Sequence, residues 1–284
     1  MKKLIVSLVA LIFTVNVFAQ TKTPFVLYNS KGKKVGYKKM IRVLAQNDIV
    51  LFGEHHNNAI AHWLQLSVTK DLFEKRKLTL GAEMFERDNQ QALDNYLQGK
   101  INAKGLDSSA RLWKNYPTDY APLVNFAKEN NIPFTATNIP RKYASLVSKK
   151  GFTGLDSLTV QEKSWMAPLP MAYDPELPGY KNMIAMMGGH GGENLPKAQA
   201  SKDATMAHFI LTTQAPGSLF IHYNGSYHSE NYEGIGWYLA KNNPLLKIKT
   251  ITTVSQKNIH KLELENQNKA HYIICVDYDM TNTY

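Results

Sequence analysis

Two rhythms of apolar and polar positions alternate along this chain. Asp48 to Phe52 (DIVLF) is an unbroken apolar-leaning run that predicts a buried strand, and it ends in Gly53-Glu54-His55-His56. From Asn57 to Phe73 the period lengthens: Ile60, Trp63, Leu64, Val68 and Leu72 fall on one side of a predicted helix. His62, Gln65 and Thr69 form a second, polar stripe on that helix. Leu78 to Phe85 (LTLGAEMF) predicts another strand. A helix follows from about Asn89 to Gln98, with Asp88 and Gln91 as a capping pair and Gly99 as its stop. Tyr120 to Glu129 reads as helix, Ile132 to Asn138 as a strand ending before Pro140, and Ser218 to Asn224 as a further strand. Gly234 to Ala240 begins a helix; Ile248 to Val254 and Tyr272 to Tyr278 are late strands expected at a sheet edge. Strands alternating with helices predict an α/β fold, a mainly parallel sheet flanked by helices on both faces.

The two ends of the pattern differ from its middle. Lys2 and Lys3 precede an apolar run from Leu4 to Val15, then Val17 and Ala19 offer small residues at a cleavage position. That is the pattern of an export leader of residues 1–19, and the run falls short of the ~20 residues that span a bilayer. No cysteine follows it, so a lipid anchor is not expected. Residues 20–284 are expected to form one domain. Within it, Pro168 to Pro196 is rich in Pro, Gly and Met and reads as an irregular insertion over the sheet, a lid or ligand loop. The formal charge of +10 becomes +8 once Lys2 and Lys3 leave with the leader. That surplus suits an acidic ligand, but the lysines are scattered and no nucleic-acid motif occurs, so nucleic acid is not an expected partner. The single cysteine, Cys275, lies in an apolar run and reads as buried and inert.

In a parallel α/β sheet, ligands sit beyond the carboxyl ends of the strands. The strands here deliver Glu54, His55 and His56; then Glu83, Glu86 and Arg87; then Asn138 and Arg141; then His222, Asn224 and His228. Acids and imidazoles at one rim can hold a divalent transition metal or perform acid–base work. The plainer alternatives are structural. Glu54 and Glu83 are acids on buried strands that need partners, and Arg87 or Arg141 can supply a salt bridge to Glu54. His55 and His56 are adjacent in an extended chain, so one of them at most faces a cleft. His62 is equally readable as a surface helix residue, His208 as structural, and His260 and His271 as surface residues.

Several blocks in order resemble a known family. Gly53-Glu54-His55-His56 followed by Ala61-His62-Trp63-Leu64-Gln65 is similar to the opening signature of ChaN-like haem-binding uptake proteins, relatives of the Tiki proteins and, more remotely, of erythromycin esterases. Gly81-Ala82-Glu83-Met84-Phe85, then Ala136-Thr137-Asn138 with Pro140-Arg141, then Ala198-Gln199, Lys202-Asp203 and Met206-Ala207 resemble later blocks. The last block departs: Asn224-Gly225-Ser226-Tyr227-His228 keeps the histidine but lacks one glycine, and Gly234-Ile235-Gly236 lacks the proline. The resemblance spans roughly Ile41 to Ala240 and implies noncovalent haem, since no Cys-x-x-Cys-His occurs. Tyr173, Tyr180, Met183, Met186, Met187 and His190 would line the haem slot, with Arg87 and Arg141 meeting the propionates. An outer-membrane receptor or a second copy of the chain would be the partner. The alternative it carries is a hydrolase in which Glu54, His56, Glu83 and His228 act as catalytic groups or as ligands of a divalent metal.

Overall fold

A computed structural model describes residues 22–186 and 192–284. Seven strands form one sheet: β1 (Phe25–Asn29), β2 (Ile49–Glu54), β3 (Leu78–Glu86), β4 (Phe134–Asn138), β5 (Leu219–Gly225), β6 (Ile248–Gln256) and β7 (Tyr272–Asp277). Ten α-helices accompany them among the described residues: α1 (Tyr37–Leu44), α2 (Ala59–Phe73), α3 (Gln90–Leu97), α4 (Ala103–Ser109), α5 (Ala121–Glu129), α6 (Arg141–Lys150), α7 (Val160–Lys163), α8 (Pro178–Met186), α9 (Leu195–Thr213) and α10 (Ile235–Asn242). The strand order is β1-β7-β6-β2-β5-β3-β4, parallel throughout except that β1 pairs antiparallel with β7. The expected α/β architecture is the one observed.

Every residue of β2 and β5 is buried, as strands covered on both faces require. Val50 and Phe52 pack into one core with Leu64, Val68 and Leu72 of α2. Their neighbours Ile49 and Leu51 point to the opposite core, with Met206 and Ile210 of α9 and Leu239 of α10. The period of two along a strand thus feeds two cores.

Several expectations change. The late strands β6 and β7 are not at an edge, because β1 adds itself beyond β7 and β2 flanks β6. Trp63 does not join the buried face of α2; it is 53% exposed and meets Phe25 edge-on. The polar stripe His62, Gln65 and Thr69 is buried instead, because that side of α2 faces the functional rim. Asp88 and Gln91 do not cap α3: its N-cap is Asn89, which makes no side-chain cap bond. Gly99 does terminate that helix, at φ +74°. His271 is half-buried rather than on the surface, its ring against Thr250, and burial pushes its pKa down to about 4.

At the free edge of the sheet, Gln90 does the work of a neighbouring strand. Its Nε2 donates to the Phe134 carbonyl at 3.0 Å and its Oε1 accepts from the Ala136 N–H at 2.7 Å.

Candidate functional site

The chain leaving β2 crosses through α2 to β3, while the chain leaving β5 turns the other way through α10 to β6. Two adjacent strands therefore send their connections apart, which opens a crevice at their carboxyl ends. Glu54 ends β2 in that crevice and is almost fully buried. A buried carboxylate needs hydrogen-bond donors. Gln65 Nε2 of α2 donates to Oε2 at 2.5 Å, and the Tyr120 hydroxyl donates to Oε1 at 2.5 Å. His56 Nδ1 completes the set, 3.0 Å from Oε1. No arginine is involved, so the expected alternative of a salt bridge from Arg87 or Arg141 does not hold. His62, buried rather than on the surface, stands 3.1 Å from Gln65 Oε1 and 3.0 Å from the His56 carbonyl, which also accepts from Asn115 Nδ2 at 2.9 Å.

His56 is the partly exposed member of this group, with Trp113 edge-on to its ring at 4.8 Å. Burial opposes its charge, but the Glu54 hydrogen bond and the Glu83 carboxylate outweigh it, so its pKa stands above the usual imidazole value. Burial lowers the pKa of His55, which feels the charges of Glu230 and Lys269. Of the two histidines only His56 bonds to the crevice carboxylates, although the chain there is a turn rather than extended, with the Asn58 N–H donating to the His55 carbonyl at 2.9 Å.

Glu83 lies on β3 just beyond Ala82, where the pairing with β4 becomes irregular. Its Oε2 accepts the Gly225 N–H at 2.7 Å, and its Oε1 lies 3.2 Å from His228 Nε2. Asp203 of α9 takes the other ring nitrogen, 2.5 Å from Nδ1. Both nitrogens of His228 thus face carboxylates. Burial opposes the imidazolium, yet Glu83 and Asp203 outweigh it and raise its pKa to about 10. Burial likewise opposes the charge of Glu83, and His228 and His56 more than compensate, holding its pKa well below the usual carboxylate range. Gly225 joins the two groups. A methyl there would sit 2.8 Å from His56 Cε1 and 2.9 Å from Nε2, so only glycine lets His56 lie over the β5 backbone. Gly234, at φ +54°, passes so close beneath His228 that a Cβ would stand 2.3 Å from its carbonyl oxygen. The glycine absent from this block therefore leaves intact the two glycines that shape it.

Glu54, His56, Glu83 and His228 do converge. They form carboxylate–imidazole pairs, and among the described residues no group of three His, Cys, Asp or Glu side chains is arranged to hold a metal ion. Of the expected divalent-metal set, His228 has both ring nitrogens taken up, by Glu83 and Asp203, while His56 is held through Nδ1 by Glu54 and keeps Nε2 free among the described residues.

The other expected ligand residues divide. Arg141 lines a cleft that reaches Glu83 at the end of β3, beside the Glu54–His56 pair. Arg87 does not: it donates to Gln90 and to the Ala136 carbonyl, and its guanidinium stacks 4.1 Å from the Phe209 ring, in a hollow beside edge strand β4. Tyr180 of α8 is buried and its hydroxyl donates to Asp203 at 3.0 Å, tying the insertion to the His228 cluster. Tyr227 strengthens the tie by donating to the Gly179 carbonyl at 2.5 Å. Tyr173 is half-buried, stacks 5.6 Å from Tyr180, and makes no side-chain hydrogen bond to another described residue. Met183 is half-buried on α8 and Met186 ends it; Met187 and His190 lie outside the described residues. Tyr120, Asp119, Asn115 and Asp203 were not singled out as site residues from sequence. Asp203 sits inside a recognised block, whereas Tyr120 gave no local signal.

An α/β protein with acids and imidazoles gathered at a switch point of its sheet is the class that this geometry defines. The chain belongs to the family described as haem-binding uptake, Tiki superfamily, ChaN, whose model matches residues 40–239. Among solved structures it resembles ChaN of Campylobacter jejuni, described as binding haem cofacially, with a TM-score of 0.67 at 17% identity over 88% of this chain and 96% of that one. An erythromycin esterase in its open conformation shares the fold at a TM-score of 0.54 and 9% identity, over 90% of this chain and 98% of that one. The chloroplast protein RETICULATA-RELATED 5 of Arabidopsis thaliana is 23% identical over 169 residues, 54% of this chain and 23% of that protein's length.

Proposed function

We propose that this chain binds haem noncovalently and serves haem or iron uptake outside the cytoplasm. Membership of a haem-binding uptake family over residues 40–239 is the observation that carries it. Haem needs an apolar slot and an axial donor of the His, Tyr or Met type. Phe152 meets Tyr173 edge-on and Tyr173 stacks on Tyr180 of α8, with Met183 on the same helix. These residues fit the group. Tyr173 is the phenol to ligate iron, because the Tyr180 hydroxyl is already committed to Asp203. Bound haem would supply the iron as cargo, while this chain's residues bind and orient it. Export rests on the leader pattern of residues 1–19, and an envelope receptor or a second copy of the chain would take the haem onward. Haemin titrated into purified protein gives a shifted Soret band, and Tyr173→Phe weakens binding by about tenfold or more. An unchanged free-haemin spectrum at micromolar protein refutes the proposal.

A second reading is favoured by the His56 pair alone: hydrolysis without a metal. A carboxylate holds Nδ1, which leaves Nε2 as a general base toward the crevice. The base must be neutral, so activity would rise with pH through the raised pKa of His56. Hydrolysis of p-nitrophenyl acetate that survives His56→Ala removes this reading.

A further inference from the structure

The positive surplus is not scattered as expected. Of the formal +10, two charges belong to Lys2 and Lys3 and seven to residues 22–47, which hold no Asp or Glu; residues 48–284 carry only +1. Lys22 precedes β1. Lys31, Lys33 and Lys34 ride on the turn that folds back onto that strand, where the Asn29 N–H donates to the Lys33 carbonyl at 2.9 Å. Lys38, Lys39 and Arg42 stand on α1. Met40, Ile41 and Leu44 take its buried positions, which leaves the three cations on the outer face. All seven are exposed, and none takes part in an ion pair with another described residue.

The neighbouring helix adds exposed aromatic rings. β1 reaches α2 where Phe25 meets Trp63 edge-on at 6.0 Å, and α1 shares with the end of α2 a hollow lined by Lys38, Arg42, Asp71 and Glu74. Strand, turn and both helices therefore form one continuous face. On it α2 turns outward Trp63, Lys70 and Phe73, which share one helical stripe. Trp63 is 53% exposed and Phe73 37%. Asp71 and Glu74 offset part of the charge, but the same stretch also carries Lys70, Lys75, Arg76 and Lys77. The face stays strongly basic.

We infer that this face docks on a bilayer rich in anionic phospholipid, with the cations meeting the headgroups and Trp63 and Phe73 entering the interfacial layer. Six of the seven cations of residues 22–47 are lysines. These are hydrated point charges on flexible stems, which suit a diffuse surface potential; planar, bidentate reading of a single phosphate favours arginine instead. They spread over a turn and a helix rather than around a cleft. Tryptophan beside such lysines is the residue type that settles at the boundary of membrane and water. Attachment is peripheral: no described helix is long and apolar enough to cross a membrane.

Co-sedimentation of the purified protein with phosphatidylcholine vesicles, with and without about 30% phosphatidylglycerol, tests it. The protein should pellet with the charged vesicles, stay in solution with the neutral ones, and be released as salt rises to about 0.5 M. A variant carrying Lys33→Gln, Lys34→Gln, Lys38→Gln and Lys39→Gln should bind about tenfold more weakly or worse. Trp63→Ser should weaken binding by about threefold or more and remove a vesicle-induced blue shift of tryptophan emission. Far-ultraviolet circular dichroism and a thermal melt confirm that each variant is folded. The inference is overturned if lipid charge makes no difference, as attachment through the apolar residues 4–15 would show, or if the four-lysine variant keeps the parent's affinity. It is equally overturned if Trp63→Ser binds as the parent does, or if a DNA duplex of arbitrary sequence binds as tightly as the vesicles, since the face then reads phosphate charge without a bilayer. Failure of the haem proposal alone shows as an unshifted Soret band with vesicle binding intact.

Discussion

Replacing His228 with glutamine would leave Glu83 and Asp203 facing each other's surroundings without a cation. The magnitude can be worked from the geometry. At an effective dielectric of ~20, unit charges 3.2 Å apart attract by roughly 5 kcal/mol, and the 2.5 Å contact with Asp203 is stronger. Desolvation of the three buried ions cancels much of this, so the intact cluster is worth little against an apolar replacement. Removing only the cation is different, because both desolvated carboxylates remain; that costs about 3–5 kcal/mol. The sign with pH follows. In the parent chain, His228 has a pKa raised to about 10, so its stabilisation is complete below the unfolded value of about 6.5 and is lost as pH rises through about 10. Glu83, held low, stabilises above its unfolded value and loses that contribution on acidification. In His228→Gln the two carboxylates would have raised values, so the variant recovers as pH falls and they take up protons. Urea unfolding at pH 7.5 and pH 4.5 measures the deficit at each. A loss under about 1 kcal/mol at pH 7.5, or an equal loss at both pH values, would refute a charged cluster at this position.

Three further outcomes are expected. Glu54→Gln should lower the His56 pKa, read from imidazole NMR shifts, and no change would mean the carboxylate does not govern that ring. Gly225→Ala should displace the His56 ring and cost about 1–3 kcal/mol in chemical denaturation, because the added methyl meets the imidazole at 2.8 Å. Cys275 is fully buried on β7 and burial pushes its thiol up to about 12, so Ellman's reagent at pH 8 should react only after unfolding.

Strand positions were legible because burial on both faces writes itself as short apolar runs: β2 to β7 all lie within two residues of their expected bounds. β1 was not, since FVLYN is brief and its place depends on β7 across the chain. The 19-residue α9 escaped notice for a physical reason. It is buried on most sides between α6, α10 and β4, so LPKAQASKDATMAHFILTT carries no clear apolar stripe. The burial of His62 and Gln65 was hidden for the converse reason: a polar stripe normally faces water, and here it faces a buried carboxylate. Glu54, His56, Glu83 and His228 were identifiable because an acid at the end of an apolar strand needs a partner. That Asp203 and Tyr120 are among the partners follows from how helices far apart in sequence dock on the sheet, which no local pattern encodes.

Gln90 bears on how this protein behaves at high concentration. An open margin of a β-sheet is a template on which another molecule can lay down its own backbone. By occupying the Phe134 carbonyl and the Ala136 N–H with a carboxamide, the chain blunts that template without spending an eighth strand. Arg87, which donates to the Ala136 carbonyl and to Gln90, shares the task, so solubility, rather than fold, is the property most exposed to change at these two residues.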